Sequence, residues 1–281
     1  MAGDLLHGTL SCVSYLRAQL SEASQRYAQA HGLPHQLSYG ETPAVVFEAS
    51  EAGEHGNFLP SSYRAILQNP GWRRRLGKAH SQAKSLPRIG RNWRELDSCN
   101  SSDALLMNIF CYPGVASGRQ VLHLFGAEAD GPPQFGYKPR VPLLDGKFDR
   151  TEVDMRLGNL LVEAKLTEGD FQRRSKAALA SYRDFPQVFY RRRLPQHLDQ
   201  YLSYQLIRNV LAAHAGGSSF CVLADARRPD LLEAWFQVMQ AVKPVDLRVR
   251  CKVLTWQELA IILPPMLQRF LEEKYAIFAA S

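Results

Sequence analysis

Residues Asp149–Glu168 read DRTEVDMRLGNLLVEAKLTE. From Glu152 to Leu157 polar and apolar residues alternate, the two-residue period of a strand with unlike faces. Leu160–Leu166 is largely apolar, interrupted by Glu163 and Lys165. Gly158-Asn159 between them suits a two-residue hairpin turn. Pairing Leu157 with Leu160 across that turn sets Asp154 opposite Glu163 and Glu152 opposite Lys165. Opposed side chains share a face with Cβ atoms about 5 Å apart. All four polar groups then project from one side of the hairpin, and Val153, Met155, Val162 and Ala164 from the other.

Two carboxylates facing each other on a sheet repel, and stability alone would rarely select them. A divalent cation removes the conflict, because hard ions such as Mg²⁺ take carboxylate, phosphate and water oxygens. A lysine beside that ion is placed to orient or deprotonate a water, or to stabilise charge developing on a phosphate. The bland alternative is a solvated face with a Glu152–Lys165 ion pair, worth well under ~1 kcal/mol.

Asp154 followed by Glu163-Ala164-Lys165 on the next strand resembles the D-x(n)-E-x-K core of the PD-(D/E)XK nuclease superfamily. Val153 stands where the family name has proline. The resemblance implies that Asp154, Glu163 and the Ala164 backbone carbonyl hold Mg²⁺, with Mn²⁺ able to substitute, and that Lys165 assists the attacking water. Glu152 is a further candidate, as an extra ligand or as partner of Lys165. Downstream, Gln200-Tyr201-Leu202-Ser203-Tyr204 resembles the Q-x-x-x-Y accessory motif of the exonuclease-like branch. On a helix spanning about Gln196 to His214, Gln200 and Tyr204 would share one face and brace the site.

The rest of the chain favours an anionic partner. Net charge is +7 over 281 residues, and a basic balance points first to nucleic acid. From His55 to Arg94 there is no acid, while Arg64, Arg73, Arg74, Arg75, Lys78, Lys84, Arg88, Arg91 and Arg94 are interleaved with Tyr63, Trp72 and Trp93. Such a stretch suits phosphate contact with aromatics for stacking on unpaired bases. Tyr190 precedes a second basic cluster, Arg191-Arg192-Arg193. Five scattered cysteines with no C-x-x-C pair argue against a zinc ribbon and for reduced thiols. The opening MAGDLLHGTLSC lacks the features of a signal peptide, and no apolar run is long enough to span a membrane. A cytoplasmic location is the expectation, with no membrane partner and with oligomeric state open.

Periodicity predicts a helix over Leu10–His31, a short strand at Ala44–Phe47, a helix over Ser101–Phe110 capped by serine, and a strand at Val121–Phe125. It further predicts helices at Asp170–Tyr182, Gln196–His214 and Pro229–Gln240, and strands at Ser219–Leu223 and Arg248–Leu254. A Thr255-x-x-Glu258 capping box opens a last helix reaching Tyr275. In the family, a helix before the hairpin often adds a Glu to the metal site; here it offers Asp103 and Asn108, with Glu95 and Asp97 upstream. Glu168 and Asp170 stand close to Lys165 in sequence.

The expected fold is α/β: a restriction-endonuclease-like mixed sheet flanked by helices over residues 96–281, preceded by a mostly helical, partly basic extension at 1–95. The expected function is Mg²⁺-dependent hydrolysis of phosphodiester bonds in nucleic acid, with DNA favoured. The basic clusters at Arg73–Arg75 and Arg191–Arg193, with Tyr204, are the candidate nucleic-acid contacts. The rival readings are a nucleic-acid-binding protein with this fold and weak or no catalysis, and a metal-free glycosidase whose two carboxylates would stand about 5–9.5 Å apart across a sugar site.

Overall fold

The computed structural model describes residues 2–49, 54–80, 83–88, 92–128 and 131–279, and of residues 2–11 and 83 the backbone alone. Arg91 of the basic stretch lies outside the described residues.

The chain opens with a long helix, α1 (Ala2–Ala30), and a two-stranded ribbon, β1 (His35–Leu37) and β2 (Val45–Phe47). Helices α2 (Pro60–Gln68), α3 (Pro70–Arg75), α4 (Ser102–Phe110) and α5 (Arg119–Phe125) follow. Then come β3 (Gln134–Tyr137), the short pair β4 (Val141–Pro142) and β5 (Phe148–Asp149), and the hairpin β6 (Val153–Leu157) and β7 (Leu160–Ala164). Beyond it run β8 (Arg173–Ser175), α6 (Lys176–Ala180), α7 (Phe185–Val188), β9 (Gln196–His197) and β10 (Gln200–Leu202). The chain finishes with α8 (Tyr204–Gly216), β11 (Ser219–Ala224), α9 (Pro229–Met239), α10 (Val245–Arg250), β12 (Cys251–Thr255), α11 (Trp256–Ile261) and α12 (Pro265–Tyr275).

Five strands make one mixed sheet in the order β12-β11-β7-β6-β3. β12, β11 and β7 run parallel, while β6 and β3 are antiparallel to their neighbours. The hairpin has the expected register, with Leu157 opposite Leu160 and Met155 opposite Val162. Gly158 adopts φ +55° at the turn, a left-handed value that glycine takes without a Cβ penalty. β7 and β11 are buried along their whole length, as expected of strands covered by helices on both faces.

Each face of the sheet carries its own apolar core. On one, Met155, Leu157, Leu160 and Val162 pack with Leu105, Ile109, Phe125, Trp256 and Leu271. On the other, Leu161, Phe220 and Val222 pack with Leu206, Ile207, Val210 and Trp235. Leu16, Leu20 and Leu59 join the first core, so the amino-terminal residues complete the helical layer on that face. Among the described residues no helix is long and apolar enough to cross a membrane.

Four local expectations are corrected. Arg119–Phe125 is a helix rather than a strand, closed by Gly126 at φ +55°, a left-handed C-cap. Asp170–Tyr182 divides into β8 and the short α6. Of the strand expected over Arg248–Leu254, Cys251–Leu254 lie on β12, while Arg248–Arg250 close helix α10: Pro244 sits at its N-cap, only Leu247 is buried, and Val245 and Val249 are 62% and 76% exposed. The last helix is two, α11 and α12, with the Thr255–Glu258 capping box present at the first.

A fifth correction matters most for function. Gln200 lies on β10, paired with Ser175 and His197, and α8 begins only at Tyr204 after Ser203 takes φ +58°. Gln200 and Tyr204 therefore do not share a helix face.

Candidate metal centre and cleft

In open α/β sheets ligands bind beyond the carboxyl ends of the parallel strands. Here that edge opens onto a cleft of about 760 Å³. Asp154, Glu163, Ala164 and Lys165 line it from the hairpin, and Asp103 and Ser102 from α4. Arg17, Tyr39, Lys78 and Glu95 face them from the amino-terminal hundred residues. The lining holds more carboxylates than cations, an unfavourable surface for a polyanion unless a metal ion joins it.

Asp154 and Glu163 converge as the register requires. The peptide N–H of Ala164, directly after Glu163, donates to Asp154 Oδ2 at 2.7 Å. The Asp154 carboxyl is held well above the usual carboxylate range, first by burial, then by the negative charges of Glu163 and Asp103. Its Oδ1 has no hydrogen-bond partner among the described residues.

Lys165 continues the ladder through its N–H to Leu223 O at 2.8 Å, and its carbonyl accepts from the Trp256 indole at 2.8 Å. Its ammonium pairs with Glu163 Oε1 at 2.8 Å, both groups being buried. Burial pulls the ammonium down, but Glu163, Glu168 and Asp154 outweigh it and the net shift is upward. This charge setting favours the ammonium form of Lys165 over the neutral amine.

The expected Glu152–Lys165 pair is corrected. Glu152 accepts instead from Arg75 at 2.9 Å, because Lys165 lies past the end of β7 and bends toward Glu163. Arg75 also grips both oxygens of Asp103, at 2.9 and 3.0 Å, and Lys78 binds Asp103 Oδ2 at 2.5 Å. Asp103, on the helix before the hairpin, thus faces the cleft with its charge balanced by the basic stretch. Asn108 serves packing: its amide bonds the Asn57 and Ala104 carbonyls, and its oxygen accepts from Leu59 N.

This also corrects the reading of that basic stretch. Arg75 is an internal strut, Trp72 donates to Pro133 O, Trp93 is buried against Pro87 O, and Tyr63 stacks on Phe58. Trp93 is buried, and Trp72 and Tyr63 are half-buried. Arg73 and Arg74 are exposed. Arg75→Ala is expected to lower stability by about 2–3 kcal/mol, since a buried carboxylate loses its bidentate partner. Arg73→Ala and Arg74→Ala should change it by less than about 0.5 kcal/mol. Urea denaturation of the three variants measures this directly.

Two site residues were not singled out from the sequence. Asn209, buried on α8, donates through Nδ2 to Glu163 Oε2 at 2.9 Å. Its Oδ1 accepts from Arg208 Nη1 at 2.9 Å, which sets the orientation of the amide. Arg208 is held in turn by Asp149 and the Thr151 carbonyl, and Asp149 accepts from Tyr182, whose hydroxyl meets that of Tyr204. Tyr204 is thus linked to Glu163 through this chain of hydrogen bonds. Gln205, one helical turn before Asn209, lines the cleft with its Oε1 buried and unpartnered. The signal available in the sequence was the i, i+4 spacing of Gln205 and Asn209 beside the apolar stripe Leu206, Val210. Gln200 is exposed on β10, away from these groups. Arg191, Arg192 and Arg193 are exposed in a 3₁₀ turn.

Among the described residues no three His, Cys, Asp or Glu side chains form a ready-made ligand cluster. The donor set nevertheless fits a Mg²⁺-type ion, which is held by one or two carboxylates with waters completing its octahedron. Asp154 has a free oxygen, each Glu163 oxygen retains accepting capacity beyond its single bond, and positive charge would relieve their repulsion.

A mixed sheet with this carboxylate pair and lysine at its strand edge, between helical layers, defines a restriction-endonuclease-like α/β protein. The chain belongs to the family described as Restriction Endonuclease associating with ARP, whose model matches residues 22–276. The match thus includes most of the amino-terminal hundred residues along with the sheet. Comparison with curated proteins finds no match, and comparison with solved structures finds none.

Proposed function

We propose that the protein is a Mg²⁺-dependent nuclease of PD-(D/E)XK type that hydrolyses phosphodiester bonds, with DNA the favoured substrate. The observation that carries this reading is the convergence of Asp154 and Glu163 at one strand edge, linked through the Ala164 N–H, with the Lys165 ammonium on Glu163. Asp154, Glu163 and the Ala164 carbonyl would hold the ion, and Mn²⁺ would substitute. A bound divalent ion supplies Lewis-acid polarisation of the phosphate and lowers the pKa of a coordinated water. Lys165 orients the attacking water and stabilises the added charge on the phosphate. Asn209 fixes Glu163, and the Gln205 Oε1 accepts from the water or a substrate hydroxyl. The adjacency of the two carboxylates on one edge speaks against the glycosidase arrangement, which needs them across an open sugar site.

The test is hydrolysis of labelled single- and double-stranded DNA and RNA with Mg²⁺ or Mn²⁺, against EDTA. Cleavage should require the metal and vanish in Glu163→Gln. Binding of nucleic acid without cleavage on any substrate would favour the non-catalytic binder of the same fold. The revised accessory residues give a sharper check. Gln205→Ala and Asn209→Ala should each lower kcat by about 10- to 100-fold, within the range for loss of a positioned polar group. Gln200→Ala should leave it unchanged. The family description names association with ARP; an ARP partner for this chain is a proposal that co-purification would test.

A further inference from the structure

The hairpin β9–β10 ends in a feature that packing does not explain. Its tip is Leu198-Asp199, and Leu198 holds φ +50° with its side chain 83% exposed. Left-handed backbone is rare for a bulky apolar residue, for which glycine or asparagine would be the easy choice. Such outliers concentrate at functional sites.

The hairpin belongs to a separate three-stranded sheet, β8-β10-β9. β8 contributes exposed Arg173 and Arg174, Lys176 N–H closes the edge by donating to Asp199 O at 2.9 Å, and Arg191–Arg193 follow on the adjoining turn. Arg174 and Lys176 lie over the rings of Tyr204 and Tyr201, at 5.7 and 5.9 Å, which holds two cations on this surface. From residue 173 to residue 198 the sequence carries six arginines and a lysine against one acid, Asp184, and Asp184 is bound by Arg183. Asp199 is the carboxylate at the tip itself. The sheet begins at the cleft: Gln172 lines it and Arg173 is the next residue. Three strand residues at about 3.3 Å each put the tip some 10 Å beyond that edge, or about three base-pair steps at 3.4 Å per step.

An exposed apolar side chain set among phosphate-binding cations is the arrangement by which proteins insert a wedge between base steps and kink a duplex. We propose that β8-β10-β9 docks on a nucleic-acid duplex, its arginines on the phosphates, and that Leu198 enters a base step about three pairs from the scissile bond. This rests on the nuclease reading for the duplex and its register, but its test is independent of cleavage.

A duplex carrying 2-aminopurine at successive positions is titrated with the protein in EDTA. Wild type should raise the 2-aminopurine fluorescence at one or two adjacent positions as the base unstacks. Leu198→Gly, which suits the backbone angle, should melt no lower than wild type, lose that rise, and bind roughly 3- to 10-fold more weakly. Leu198→Met should retain the rise. Arg173→Ala with Arg174→Ala should weaken binding and flatten the slope of log Kd against log salt by about 2. A rise unaltered by Leu198→Gly, binding with no unstacking, or no duplex binding would each overturn the proposal. Loss of cleavage with unstacking intact would instead count against the nuclease reading alone.

Discussion

Asp154→Asn is expected to melt higher than wild type and to cut nothing. Burial and the charges of Glu163 and Asp103 all act against the Asp154 carboxylate. An amide removes the like-charge repulsion, while its carbonyl oxygen can still accept the Ala164 N–H that Asp154 Oδ2 takes at 2.7 Å. The relief is on the order of 1–2 kcal/mol, and a chain near this size shifts Tm by roughly 2–4 °C per kcal/mol. Active sites exchange stability for function in this way, so the variant should gain in melting and lose in rate together. Mg²⁺ should raise the wild-type Tm by mass action and leave Asp154→Asn unmoved. Thermal denaturation of both proteins with and without Mg²⁺ is the measurement. A destabilised variant would mean that Asp154 supports packing and not the ion.

The second large effect lies far from the cleft. Lys274, on α12, is fully buried. Its ammonium reaches Asn57 Oδ1 and the Tyr275 hydroxyl, the latter at 3.1 Å, within the rings of Phe47, Phe270 and Tyr275. Among the described residues its bonded partners include no carboxylate. Burial lowers the group to about 7, with Cys99 acting in the opposite sense. Between about pH 7 and the unfolded value of 10.5, the unfolded chain binds the proton and the folded chain does not. Stability from this group therefore rises with pH over that window, by up to ~1.4 kcal/mol per unit and roughly 5 kcal/mol in all. Below pH 7 both states are protonated and the full burial penalty is present. Lys274→Met should remove this slope, and the two urea midpoints should draw together from pH 7 to 10. Parallel profiles for the two proteins would refute it.

What was legible in the sequence was what periodicity and local chemistry encode. The Asp154–Glu163 register followed from Gly158-Asn159 and the apolar alternation. Ser101 and the Thr255–Glu258 box marked helix starts that the fold contains. What was missed depended on partners distant in the chain. Arg75 and Glu152 stand 77 positions apart, and no pattern in a window of a dozen residues announces that an arginine in a basic run will be a buried strut. The start of α8 was missed because Leu198-Asp199 carries none of the glycine or asparagine signals of a tight hairpin. Without that turn, Gln196–Leu202 reads as the first turns of a helix. That slip placed Gln200 and Tyr204 on one helix face, whereas the α8 residues that meet Glu163 and line the cleft are Asn209 and Gln205. The strand expected from Arg248 starts only at Cys251, because alternation was weighed above Pro244, which opens a helix through Arg250.

Asp154 and Glu163 are proposed to share one divalent ion. The most direct measurement is Mn²⁺ binding by electron paramagnetic resonance, titrated into wild type and Glu163→Gln at fixed protein concentration. One saturable site per chain, competed by Mg²⁺ and abolished by Glu163→Gln, is expected if the two carboxylates hold the ion. No saturable binding, or a site that persists in Glu163→Gln, would contradict it.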